Sequence, residues 1–276
     1  STLEAARLIT QAGFRPKRTI RFILWGGEEQ GLLGSRQYVV QNRSRMHKIS
    51  AVFNHDSGTN WAHALTVAKS QKDDFTALIA PIVEAMQPPE ADHQGPVFKL
   101  RAFKKIQPAG GGSDHASFAA VGVPAFSWSL TGPVPYGRGW HSQWDTYSIV
   151  RPDFQRHNAT VFAVIAAGVA NLDHMLTREG VERAKPSGRG RVDAKLIIET
   201  WLGFELDEMK VLAVTPDGIA GKSDLKVGDT IVNVGEEPVS DTRELLAEFR
   251  DAVSEEEVVT LVVERGSARV EIQLRP

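Results

Sequence analysis

Residues 178–195, REGVERAKPSGRGRVDAK, separate two stretches that do not share one periodic pattern. The segment is charged, carries Pro, Ser and Gly, and has no apolar repeat, so it reads as a linker. Before it, helical and strand patterns alternate. After it, short β-rich runs dominate. A chain of 276 residues is long enough for two cores at about 150 residues per domain. The expected organisation is therefore a first domain over 1–177, a linker over 178–195 and a second domain over 196–276.

In the first domain, Leu3, Ala6, Leu8, Ile9 and Ala12 are spaced for one face of a helix, with Gly13 as its stop. Strands are expected at 19–25 (TIRFILW), 49–56 (ISAVFNHD), 64–68 (ALTVA) and 124–130 (PAFSWSL). Helices are expected at 31–42, 73–87, 114–122 and about 153–177. This alternation predicts an α/β fold, a three-layer sandwich around a mostly parallel sheet. In the second domain, KVLAVT, TIVNVG, EVVTLVVERG and ARVEIQL read as strands, and DTRELLAEFRDA (241–252) as a helix.

Bulk properties exclude several classes. Lys and Arg total 32 against 34 Asp and Glu, a net charge of −2, so no basic field suits nucleic acid or an anionic membrane. The chain has no cysteine, which removes disulfides and thiolate metal sites and leaves His, Asp and Glu as the donors for any metal. No apolar run reaches the roughly 18 residues of a spanning helix; ATVFAVIAAGVANL (159–172) is too short and reads as a core helix. No signal peptide is visible.

The chemistry concentrates where expected strands end. Ligands in open α/β sheets gather outside the carboxyl ends of the strands. Glu28 and Glu29 follow 19–25, Asp56 follows 49–54, and His141 lies in GWHSQWDT after 124–130. Adjacent carboxylates at the end of a buried strand repel and are costly to desolvate unless a cation offsets them. Carboxylate and imidazole both suit zinc, with one carboxylate as ligand and its neighbour as general base. The bland alternative is an acidic turn capping the following helix. Asp145, four residues after His141, fits a carboxylate that orients a ligand histidine, or equally a helix N-cap. Ser113, Asp114 and His115 in GGGSDHASF offer a similar choice between site and cap. His55, beside Asp56, points the opposite way on an extended chain and is expected not to ligate. His47, His63, His93, His157 and His174 have no partner motif.

Taken in order, IRFILWGGEEQGLLGSRQYV, FNHDSG, GGSDHASFAAVGVPAFSW and WHSQWDT resemble the co-catalytic zinc exopeptidases of the bacterial leucyl aminopeptidase and plasma glutamate carboxypeptidase type, over about residues 1–177. The resemblance implies Glu28 as general base, Glu29 and His141 as ligands of one zinc, and Asp56 as a ligand of a second. Asp145 and Asp114 stand as candidate supporting carboxylates beside this set. By position, Tyr136 and Arg138 in TGPVPYGRG are candidates for the substrate pocket. The family also places a His-x-Asp motif and a bridging Asp upstream of the first helix. Neither is in this sequence, so the resemblance implies an N-terminally truncated catalytic domain that binds zinc weakly and has little activity alone.

WLGFEL (201–206) and AGKSDLKVGDTIVNVGEEPV (220–239) resemble a PDZ domain of the bacterial protease-associated kind. Leu202, Gly203 and Phe204 would form the loop that receives a chain-terminal carboxylate, with Asp229 supporting a turn; alternatively Trp201 and Phe204 are core residues only. The implied whole is a zinc-dependent exopeptidase acting on peptides, with a C-terminal peptide as ligand of the PDZ groove and a periplasmic or secreted location. A glutaminyl-cyclase-like acyltransferase and a non-catalytic peptide-binding protein are the rival readings.

Overall fold

The computed structural model describes residues 1–106, 112–181, 198–216, 218–255 and 258–275. The chain divides into two compact units: Ser1–Leu24 with Ser50–Gln107 and Pro124–Glu182, and Trp25–Ile49 with Pro108–Val123 and Arg183–Pro276. The expected linker lies mostly outside the described residues.

The first unit is α/β. Its sheet runs β1 (Val52–Asn54), β4 (Ala125–Thr131), β2 (Trp61–Ala68), β3 (Lys99–Phe103) in spatial order. β1 with β4 and β2 with β3 are parallel, while β2 with β4 is antiparallel. The mostly parallel expectation thus holds for two of the three ladders. A bulge between Ala62 and Ala64 turns His63 out of register. Helices α1 (Thr2–Gln11), α3 (Lys72–Ala85) and α6 (Pro152–Asn171) pack together, and α6 lies against β2. Phe53 stacks on Phe126 at 5.2 Å and Trp128 on Phe162 at 4.4 Å in the core. Such pairs add about 0.5–1.5 kcal/mol each beyond their burial.

Two expectations for this unit need correction. The expected strand 19–25 forms no ladder among the described residues. Phe22 and Leu24 stay 36% and 68% exposed. An apolar β-prone run is a strand only when a neighbour takes up its N–H and C=O groups. The long helix stops at Asn171 rather than 177, because Leu172 turns extended; Arg18 N–H then bonds the Ala170 carbonyl, and the Leu176 N–H reaches Ser50 Oγ at 3.0 Å.

The second unit holds α2 (Leu33–Gln41), α4 (His115–Ala120) and a wholly antiparallel sheet in the order β10 (Ala268–Leu274), β9 (Val259–Arg265), β7 (Thr230–Val234), β6 (Lys210–Val214), β5 (Phe204–Asp207). The short β8 (Glu237–Pro238) pairs with β7. Helix α7 (Thr242–Glu255) packs on β7 and β9. The β-rich part has its own core of Leu202, Phe204, Val211, Ile231, Leu245, Phe249 and Leu261, as the PDZ-like reading expects. Asp229 accepts the Lys226 N–H at 2.8 Å and so closes the expected turn.

Candidate active site

The turn that carries Glu28 and Glu29 is built by the backbone. The Glu28 carbonyl accepts the N–H groups of Gly31 and Leu32, the Gly27 carbonyl accepts Leu33, and the Gly26 carbonyl accepts Gly34 at 3.0 Å. The first N–H groups of α2 are therefore satisfied by loop carbonyls, and no side chain caps the helix. Gly34 sits so close to Gly26 that a Cβ there would lie 2.6 Å from the Gly26 carbonyl oxygen. On the other side Trp25 is held by Tyr38 at 5.4 Å and Phe118 at 5.8 Å. A bond between Ser35 Oγ and Ser117 Oγ at 2.9 Å ties α2 to α4. Asp114, 5% exposed at the start of α4, makes no capping bond through its side chain, so a cap is not its function.

Asp56 and His141 belong to the first unit, and the structure stitches their loops together. Asn60 Nδ2 donates to the Val134 carbonyl at 2.8 Å and Asn60 Oδ1 accepts the Val134 N–H at 3.1 Å. Thr59 Oγ1 donates to the Ile149 carbonyl. The Tyr136 ring lies against Gly58, two residues after Asp56. Tyr136 stacks on Trp140, which stacks on the His141 ring at 4.3 Å. Arg138 lies over the Trp144 ring at 5.4 Å. His141 has φ 53°, a left-handed conformation that costs a non-glycine residue about 1–2 kcal/mol. Leu32, just after the Glu28–Glu29 turn, has φ 63°. Strain of this kind is concentrated at functional sites in folded proteins.

His55 packs edge-on against Phe162 at 4.9 Å. Burial is the main cause that lowers its pKa to about 4, and the Asp56 charge opposes the shift. Asp145 heads no helix, since Thr146 precedes the next turn and Arg151 precedes α6. The exposed aromatic residues Trp140, Trp144 and Tyr147 were not singled out by sequence, although their density in 136–147 was visible there. Asn60 gave no local signal at all, because its partners are 74 residues away.

The donor types suit zinc. Among the described residues, however, no group of three or more His, Asp or Glu side chains is gathered closely enough to hold a metal ion. Glu28, Glu29 and Asp114 fall in one unit, and Asp56, His141, Asp145, Tyr136 and Arg138 in the other.

The profile of peptidase family M28 matches residues 1–166. The chain belongs to that family. Carboxypeptidase Q of Mus musculus is 33% identical over 175 residues, covering 63% of this chain and 34% of that protein. Leupeptin-inactivating enzyme 1 of Streptomyces exfoliatus is 27% identical over 172 residues, covering 59% and 38%. A solved M28 peptidase precursor from Shewanella amazonensis aligns over 63% of this chain and 36% of its own, with a TM-score of 0.50 at 24% identity, a likeness of fold. The M28 chain therefore spans about a third of the length of the curated relatives it matches.

Two further features bear on the β-rich part. Among the described residues strand β5 is the edge of its sheet and pairs with β6. Gly203, at φ 81°, spends its N–H on the Ile198 carbonyl at 2.8 Å, and its own carbonyl accepts Thr215 N–H at 2.7 Å. Leu202 and Phe204 are fully buried core residues.

Proposed function

We propose that this chain is part of a zinc-dependent exopeptidase that hydrolyses terminal peptide bonds. In this reading Glu29 and His141 hold one zinc, Asp56 contributes to a second, and a histidine and a bridging aspartate from sequence outside this chain complete the set. The family match supports it. The observation that carries it is the Glu28–Glu29 turn: the backbone bonds of Gly26, Gly27 and Glu28 set both carboxylates at the start of α2, within the span that matches the M28 family.

Bound zinc supplies a water of near-neutral pKa and polarises the scissile carbonyl. Glu28 takes the proton of the attacking water and returns it to the leaving amine. Asp145 and Asp114 orient ligands from behind. Tyr136 and Arg138 shape the pocket beside His141, with Trp140 fixing the imidazole by stacking. Segment 19–25 completes a sheet with strands outside this sequence, which would bury Phe22 and Leu24. Zinc binding and turnover by this chain alone are then weak.

Residues 196–276 form the PDZ-like domain in this reading, joined by 178–195 to the catalytic part at 1–177. A peptide C-terminus enters between the β5 edge and α7, and its carboxylate competes with the Ile198 carbonyl for the Gly203 N–H. The location is periplasmic or secreted; no helix among the described residues is long and apolar enough to cross a membrane.

The test is Glu28→Gln in the full-length protein. Loss of about 10²–10⁴-fold in kcat with zinc content unchanged is expected, and an unaltered rate would refute the assignment. Mass spectrometry of an N-terminal Gln peptide separates the rivals, since release of a terminal residue marks an exopeptidase and loss of ammonia marks cyclisation.

A further inference from the structure

Among the described residues β3 is an edge of the first unit's sheet and pairs with β2, and just past its end Ile106 bridges Val181. In its sequence KLRAF only Leu100 is turned from water. Leu100 packs on the core with Leu65 and Trp128. Lys99, Arg101 and Phe103 then share the opposite face, because side chains two apart on a strand point the same way. All three are exposed, Phe103 at 54%. Across the ladder they meet Ala64, Thr66 and Ala68. Ala64 in turn pairs with Ser129, whose hydroxyl accepts from Arg101.

Neither Lys99 nor Arg101 has a carboxylate within ion-pair reach among the described residues. Their charge is felt locally. Burial is the main cause that lowers the His63 pKa, opposed by its bond to the Ser129 carbonyl, and Lys99 and Arg101 push it further down. Charged residues on an edge strand commonly serve to prevent pairing with other chains. An exposed phenylalanine in line with them does the reverse, since it adds an apolar anchor to an open edge.

We propose that β3 is a docking strand: its free edge takes an extended acidic segment of a partner protein as an added strand, with carboxylates at alternate positions over Lys99 and Arg101 and an apolar side chain against Phe103. Main-chain hydrogen bonds would supply affinity and the alternate side chains selectivity. The charge pattern commits the occupant to an acidic peptide rather than a basic or neutral one, because like charges across an interface are strongly disfavoured. This site does not depend on the metal or on the β5 groove.

The test uses the full-length protein and a short synthetic peptide alternating Glu and Val, acetylated and amidated. Blocked ends keep it from an exopeptidase and from a carboxylate-binding loop. Fluorescence anisotropy should show binding that weakens roughly tenfold from low to physiological salt, as expected for exposed charges. The same peptide with Lys for Glu should not bind. Lys99→Glu with Arg101→Glu should weaken binding at least about tenfold, and Phe103→Ser several-fold, with near-UV circular dichroism unchanged. Amide exchange at 99–103 should slow when the peptide is present. Binding that survives the double charge reversal, equal binding of the Lys peptide, or unprotected amides at 99–103 would overturn the proposal. So would concentration-dependent self-association lost in Phe103→Ser without peptide binding, since it would assign the edge to a second copy.

Discussion

Replacing Gly34 by alanine tests whether the Glu28–Glu29 turn is held by a backbone contact. The new Cβ would stand 2.6 Å from the Gly26 carbonyl oxygen and 3.1 Å from the Gly26 nitrogen, where ordinary contact begins at 3.4 Å. Both obstructing atoms are backbone, so no rotamer relieves the clash. The Gly26 carbonyl must retreat by about 0.8 Å, and Glu28 is two residues further on. Stability should change little. The weakened Gly34–Gly26 bond costs about 0.5–1.5 kcal/mol, while alanine in place of glycine in α2 returns up to about 1 kcal/mol. Catalysis is less forgiving, because a displacement near 1 Å can cost about 10²-fold. In the full-length enzyme we expect kcat/KM on a chromogenic aminoacyl or dipeptide substrate to fall by roughly 10–100-fold, with the denaturation midpoint nearly unmoved. Gly26→Ala is the control: no atom lies within 4 Å of a Cβ there and its φ is ordinary, so it should be nearly silent. An unchanged Gly34→Ala enzyme, or equal losses in the two variants, would refute the reasoning.

Asp229 is 1% exposed and accepts Arg265 Nε and Nη2, each at 2.8 Å, as well as the Lys226 N–H. Burial alone raises its carboxyl pKa, but the Arg265 and Lys226 bonds outweigh that and hold it below 3.8. A lowered folded pKa gives stability that is present above the unfolded value and is lost as pH falls through the folded one. Asp229→Ala should cost about 2–4 kcal/mol near neutrality in urea unfolding, toward the low end for a broken buried pair because Arg265 keeps Asp224, and Asp229→Asn should flatten the acid limb below about pH 4. Gly203→Ala, at φ 81° and with a Cβ 3.0 Å from Gly218 Cα, should abolish binding of C-terminal peptides measured by calorimetry while peptidase activity persists. Asn60→Ala removes both bonds to Val134 and should lower activity and zinc retention together, read by metal analysis after dialysis. Chelation of the full-length enzyme should abolish turnover, with zinc restoring it; turnover that persists in metal-free protein would refute the metal reading.

Much of the first unit was legible because its helices bury one face. The spacing finds α1, although its core side is Ala5, Leu8 and Ile9 while Leu3 stays exposed, and α3 is found within two residues at either end. Strand β3 was missed for the opposite reason. As an edge strand, KLRAF shows water its charged alternate positions, so it lacks the apolar run that betrays β1, β2 and β4. Segment 19–25 has no ladder among the described residues, because hydrophobicity reports a wish for burial and not the presence of a pairing partner. The order of the acidic and histidine motifs pointed to the M28 family, yet the contacts that join the loops carrying Asp56 and His141 run through Asn60, Val134 and Gly58. Those are long-range contacts between unremarkable residues, and no local pattern encodes them.

The reciprocal Asn60–Val134 clasp, with Tyr136 seated on Gly58, has a mechanical corollary. Two loops from distant parts of the polypeptide are fastened near their bases, so breathing of one drags the other. Asp56 and His141 should behave as teeth on a single jaw, keeping their spacing while the jaw swings as a whole.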